Sequence, residues 1–262
     1  MPIRRVSALL LLHALVAAPA GAWPASLQTA LLRDACRLVP KTLARLISDR
    51  EREVVAEAQR LPLDLGRVLG QDALSGRLQP ETLAVLDRHM DEAVDVLRQG
   101  RISEGVVRLG ATFRIPADLA DAGLASGADG YPPGLTREYY AFVEANMRRL
   151  PVTLGDPDAL KLERAQLAPY WQRLLDQGRE QSPLLRRELF QRGRVVDHRG
   201  LDWRSPVFAV AQVSYSRAVT GIAATWLVMW RQARGDQTRQ PEPRIVVPQD
   251  APPPPPSSPP ED

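Results

Sequence analysis

Apolar residues recur at helical spacing along most of this chain. Leu27, Leu31, Ala35 and Leu38 mark the core face of a helix over Ser26 to Val39. Pro40 interrupts that face, and Leu43, Leu46, Ile47, Val54 and Ala58 resume it through the charged tract DREREVVAEAQR. Pro40 is therefore read as opening a second helix at its first turn. Leu83, Leu86, Met90, Val94 and Leu97 predict another helix, bounded by Pro80 and Gly100. Ile102, Val106, Leu109, Phe113 and Leu124 carry the pattern through RLGATFRIPADLADAG at 108–123, where Pro116 predicts a kink. The next stretch, GLASGADGYPPG at 123–134, is a loop by composition. Helices are expected again over Thr136 to Leu150, stopped by Pro151, and from about Ala159 to Gln177. Residues 182–202 carry no clear pattern, and no run alternates as a strand would. The expected fold class is all-α, a multi-helix bundle.

One segment tests that reading. VFAVAQVSYSRAVTGIAATWLVMW, at 207–230, is long enough to cross a bilayer and has a single charge, Arg217. Gln212, Ser214, Ser216, Arg217 and Thr220 cluster near its middle. An arginine there costs about 3 kcal/mol on membrane-insertion scales. Phe208, Tyr215, Val219, Ile222, Trp226 and Met229 fall on one stripe, the pattern of a closing core helix rather than a span.

The ends of the chain change the picture of where it works. In MPIRRVSALLLLHALVAAPAGAW, Arg4 and Arg5 precede an apolar core too short for a typical spanning helix, and Ala20-Gly21-Ala22 offers a small-residue cleavage site. Residues 1–22 are read as a secretory signal peptide, with an N-terminal membrane anchor as the alternative. Cleavage after Ala22 would make Trp23 the first residue. Residues 23–234 then form the helical domain. Residues 235–262, GDQTRQPEPRIVVPQDAPPPPPSSPPED, cannot bury enough apolar area to fold and read as a disordered proline-rich tail. Without Arg4 and Arg5, the 34 basic residues come close to balancing the 31 acidic ones. That leaves no basic footprint for nucleic acid.

The only cysteine, Cys36, excludes an intramolecular disulfide, so core packing must hold the domain together. In the helical run TALLRDACRLVP it reads as a small buried thiol. An exported location, periplasmic or extracellular in a bacterium, follows from the signal sequence and the missing disulfide.

These features together resemble the zinc-dependent phospholipase C and fungal-type nuclease family. Its members are secreted, all-helical enzymes that cleave phosphodiesters with three zinc ions. In that family the mature N-terminal Trp binds zinc through its amino group and carbonyl, and a His follows shortly after. Here Trp23 and Gln28 stand in those places. A family helix preceded by Leu-Gly carries His-x-x-x-Asp and then a further His. Leu109-Gly110 is followed here by Arg114, Asp118 and Leu124, so only the Asp remains. The family's next helix carries His-x-x-x-Glu, and TREYYAFVEAN offers Thr136 and Tyr140 instead. SYSRAVTGIAATWLVMWRQA resembles the closing helix of bacterial members. The resemblance runs from Trp23 to about Arg234 and rests on frame and order. It implies a phospholipase C-type bundle, with zinc as the cofactor if it extended to activity.

The donor chemistry argues against that extension. Catalytic zinc takes imidazole, thiolate or carboxylate ligands and keeps a position open for water. Past the signal peptide the only histidines are His89 and His198, far apart in sequence and each read as an ordinary helix or turn residue. A guanidinium at position 114 repels a metal and pairs with the Asp left behind. The competing reading of Arg114 and Asp118 is an ordinary exposed ion pair.

Three functions stay open on these grounds. The favoured one is a non-catalytic, exported relative without a zinc cluster, binding lipid, a protein or an envelope component. The second is a phosphodiester hydrolase whose reduced metal site uses Asp34, Asp64, Asp118 and Asp121. The third is an envelope protein anchored by 207–230. No catalytic residue is assigned, and Asp118 is the one metal ligand expected if there is any. Phosphate-binding glycine loops, a nucleophile elbow and paired Cys-x-x-Cys are absent from the sequence.

Overall fold

The computed structural model describes residues 23–60, 75–128, 132 and 134–236. Residues 1–22, read above as a signal peptide, Asp64 and residues 237–262 lie outside them. The described part is mostly helical, as the apolar spacing predicts.

Helix α1 (Ala25–Cys36) follows Pro24, and α2 (Lys41–Ser48) follows Pro40. Each proline occupies the residue just before its helix, where a missing N–H costs nothing. The expected second helix is in fact two. The chain turns at Asp49 and Arg50 before α3 (Glu51–Arg60), which lies against α5 (Ile102–Ala111). Gly110 permits that approach, since a Cβ there would stand 2.8 Å from a methyl of Val54. Helix α4 (Pro80–Arg98) keeps the bounds its pattern predicts.

The stretch at 108–123 differs more. In place of one kinked helix, α5 stops at Ala111, α6 (Arg114–Leu119) starts afresh, and α7 (Ala122–Ala128) follows. Pro116 falls in the first turn of α6, where no helical partner is owed to its nitrogen. The interruption is thus a complete break. Helix α7 also corrects the loop reading of its own residues. Gly123 sits where a Cβ would meet the Tyr139 ring at 2.6 Å, and a Cβ on Gly178 of α9 (Arg164–Leu189) would stand 3.3 Å from the Leu119 carbonyl. Gly123 lets α7 close onto Tyr139, and Gly178 lets α9 close onto the chain at Leu119 and Asp121. This packing, with α7 lying along α9, overrides weak helix propensity.

Helix α8 (Leu135–Asn146) passes into a 3-10 turn at Met147–Arg149. Helix α9 runs well past Gln177 into the unpatterned segment, starting from a capping box of Glu163 and Gln166. It ends in a small antiparallel hairpin that the sequence pattern does not reveal, β1 (Phe190–Gln191) with β2 (Arg194–Val195). Arg192 and Gly193 turn it with φ of 52° and 77°. Two-residue strands are too short to alternate visibly.

Helix α10 (Pro206–Gln232) closes the fold, with the Ser205 hydroxyl accepting from the Phe208 amide at 3.3 Å. It packs against α1, α6 and α9. From Ala218 to Trp230 every side is buried, so its apolar surface is wider than the single stripe read from the sequence. Among the described residues no helix is long and apolar enough to cross a membrane. Its hydroxyls find partners within the fold, as with Thr220 donating to the Ser216 carbonyl at 2.8 Å.

Candidate functional site

The candidate positions meet where α1, α3, α6 and α8 come together beside α10. Trp23 leads into α1 and is buried, its indole N–H donating to the Ala117 carbonyl of α6 at 2.8 Å. Its ring lies between Tyr140 and Tyr215, with centroids at 6.2 and 6.4 Å. Gln28, one turn into α1, donates its amide to the Trp23 carbonyl at 2.7 Å. The Gln28 carbonyl oxygen accepts from the Gln59 amide of α3 at 2.9 Å, which fixes the orientation of the Gln28 amide.

Arg114 and Asp118 face each other across one turn of α6, Nε to Oδ2 at 3.2 Å, with side chains only 8% and 2% exposed. The guanidinium also reaches the Ala58 carbonyl of α3 at 3.4 Å. An ordinary exposed pair is thereby excluded. Burial pushes the Asp118 carboxyl up to about 6, against the opposing pull of Arg114.

Asp121, also buried, accepts from the Tyr140 hydroxyl at 2.7 Å and from the Gly123 amide at 2.8 Å. Burial pushes it up to about 7; these hydrogen bonds hold it back and the nearby Asp118 adds to the rise. Tyr140 is thus drawn in through Asp121, which the family frame does not include. Leu124 packs partly buried against the core and offers no donor. Thr136 sits half-buried one turn before Tyr140 on α8 and contributes no hydrogen bond to this network.

The sequence reading missed Gln59, the Ala58 and Ala117 carbonyls, and the pairing of Asp34 with the Tyr215 hydroxyl at 2.8 Å. The carbonyls carry no side-chain signal. Asp34 and Tyr215 are 181 positions apart, which no local spacing could connect. Cys36 is buried near this region, and burial pushes its thiol up to about 11, leaving it unreactive at neutral pH.

Zinc fits this arrangement poorly. Gln28, Arg114, Leu124, Thr136 and Tyr140 bring no imidazole or thiolate. A permanent cation already stands against the Asp118 carboxylate. His89 and His198 lie outside the network. His89 is half-buried beside Glu92 at 4.0 Å. His198 pairs with Glu138 of α8, Nδ1 to Oε2 at 2.8 Å, where a surface turn residue was expected. With Asp197 these two groups place ligand atoms within 4.8 Å of one another. Both carboxylates are already engaged by the backbone. Glu138 also accepts from the His198 amide at 3.3 Å, and Asp197 accepts from the Arg199 amide at 2.9 Å.

Compared with protein-family models, curated proteins and solved structures, the chain matches none.

Proposed function

We propose that this chain is an exported, non-catalytic relative of the zinc-dependent phospholipase C and nuclease scaffold, with protein donors in place of the metals. One observation carries the reading: the Trp23 carbonyl and Asp118, which would face a cation in that frame, each accept a protein hydrogen, and so does Asp121 outside the frame. The Trp23 carbonyl takes the Gln28 amide, Asp118 takes the Arg114 guanidinium, and neighbouring Asp121 takes the Tyr140 hydroxyl. A buried carboxylate stripped of its metal needs a new cation or a proton. Arg114 supplies the first to Asp118, and the raised pKa of Asp121 supplies the second in part.

Such a domain serves by binding, with a lipid or an envelope component as partner, in the periplasm or outside the cell. The test is hydrolysis. Protein processed to begin at Trp23 is incubated with phosphatidylcholine vesicles and, separately, with single-stranded DNA, with and without added zinc. No turnover above a buffer control is expected. Zinc-dependent release of phosphocholine or nucleotides would overturn the reading.

A further inference from the structure

A second region, on the far side of α10 from Trp23, has the chemistry of a binding site. Tyr215 faces Asp34 and Trp23. Arg217, two residues on and so about 200° around the helix, points the other way. There it lines a cleft of about 300 Å³ between α9, α10 and the segment at 153–156. That volume is at the lower end for small-molecule sites. Tyr170, Leu174 and Val213 give the cleft an apolar wall, and Gln177, Gln212 and Thr153 add neutral polar groups.

Its charges do not balance internally. Arg217 is half-buried, and among the described residues its guanidinium has one hydrogen bond, a long one of 3.4 Å to the Gln177 carbonyl. No carboxylate lies within 4.0 Å of it among the described residues; Glu180 acts from further off. The second cation, Arg173, stacks over the Tyr170 ring at 5.5 Å and stands 3.9 Å from the exposed Asp156. Two guanidiniums therefore share one carboxylate among the lining groups. A guanidinium keeps its charge at any physiological pH, so burying it without a partner is costly, and its five donors match an oxyanion bidentately.

The cleft is also held open by its own wall. Thr153 is fixed to α10 twice, its amide donating to the Ser216 hydroxyl at 3.1 Å and its hydroxyl accepting from the Gln212 amide at 3.3 Å. Ser216 in turn donates to the Pro151 carbonyl at 3.2 Å. These bonds tie up the small polar groups and leave Arg217 with donors to spare.

We propose that this cleft binds a small organic oxyanion, a phosphate monoester or carboxylate, with Arg217 on the anion, Arg173 assisting at the rim, and the ligand's apolar body against Leu174 and Val213. The site is separate from the Arg114–Asp118 network and does not depend on the family reading.

Calorimetric titration of the full-length protein with phenyl phosphate and with benzoate tests it, with benzyl alcohol as the uncharged body and inorganic phosphate as the bare anion. At least one aromatic anion is expected to bind saturably at millimolar concentration or below, and more tightly than either control. Arg217→Gln should weaken it about tenfold or more, Arg217→Lys by less, and Arg173→Gln by a smaller factor still, because Arg173 is already half-paired. Thermal melts check folding, and Arg217→Gln should melt no lower than the parent because it removes a half-buried charge. The proposal is overturned if neither aromatic anion binds, if Arg217→Gln binds as the parent does, or if inorganic phosphate binds as well as the aromatic anions.

Discussion

Removing the guanidinium of Arg114 should strand the Asp118 carboxylate, and the cost should depend on pH in a definite direction. In Arg114→Met the side chain keeps most of its length and loses its charge. Breaking a buried ion pair from one side costs about 3–5 kcal/mol when the remaining group stays ionised. Asp118 has a way out, because its carboxyl already titrates at about 6 and rises further once Arg114 is gone. At pH 5 it is protonated in parent and variant alike, so the loss is one hydrogen bond from the guanidinium to an uncharged carboxyl, about 1 kcal/mol. Above pH 6 the parent gives up that proton while the variant keeps it. The variant's stability then falls by roughly 1.4 kcal/mol per pH unit relative to the parent, until its own raised pKa is reached. By pH 8 the deficit is about 4 kcal/mol if the variant's own pKa lies above 8, or roughly 8–16 °C in Tm for a domain of this size, against about 2–4 °C at pH 5. The double variant Arg114→Met with Asp118→Leu should return to within about 1 kcal/mol of the parent at pH 8, because neither charge is left buried. Urea unfolding followed by circular dichroism at both pH values gives all the numbers. Equal losses at pH 5 and pH 8, or a double variant equal to the sum of the singles, would refute the reasoning.

Three further outcomes follow from the same geometry. Asp121 titrates at about 7 in the folded chain, above the ordinary aspartate value of about 3.9, so the folded state holds a proton that the unfolded chain has released. Its contribution is greatest below pH 4 and is lost as pH rises towards 7. Asp121→Asn should therefore gain urea resistance over the parent at pH 8 and show little difference at pH 4. Gly123→Ala should lower Tm despite alanine's better helix propensity, by about 1–3 kcal/mol of overpacking, since its methyl would lie 2.6 Å from the Tyr139 ring. Cys36 should resist iodoacetamide at pH 7.5 in native protein and react fully in urea, read by mass spectrometry; rapid native labelling would contradict its burial.

How far the sequence reached can be judged element by element. The apolar spacing of α1, α4 and α10 was legible because each turns a wide face to the core, and periodicity reports that directly. The loop reading of α7 failed because Gly123, Gly127 and Ser126 suggest a turn by composition, while contact with α9 and Tyr139 decides the matter. The break before α6 was visible only as Pro116, whose effect depends on its place in the helix: interior it kinks, in a first turn it starts. For the candidate network, the order Trp23, Gln28, Arg114, Asp118 and Tyr140 could be read along the chain. Its closure could not. Gln59 and the Ala58 and Ala117 carbonyls join it through tertiary contacts, and backbone acceptors have no sequence signature. Arg217 stood out as the lone charge of the apolar run at 207–230, but only the fold shows that it opens onto a cleft.

The central claim is that protein donors hold the places of the metals, and zinc content tests it most directly. The exported protein, recovered with Trp23 as its first residue and purified without chelators from cells grown with added zinc, is measured by inductively coupled plasma mass spectrometry and melted with and without EDTA. The account predicts zinc far below one ion per chain and the same Tm in both melts. Stoichiometric zinc whose removal lowers Tm, and which is lost on Asp118→Asn, would contradict it.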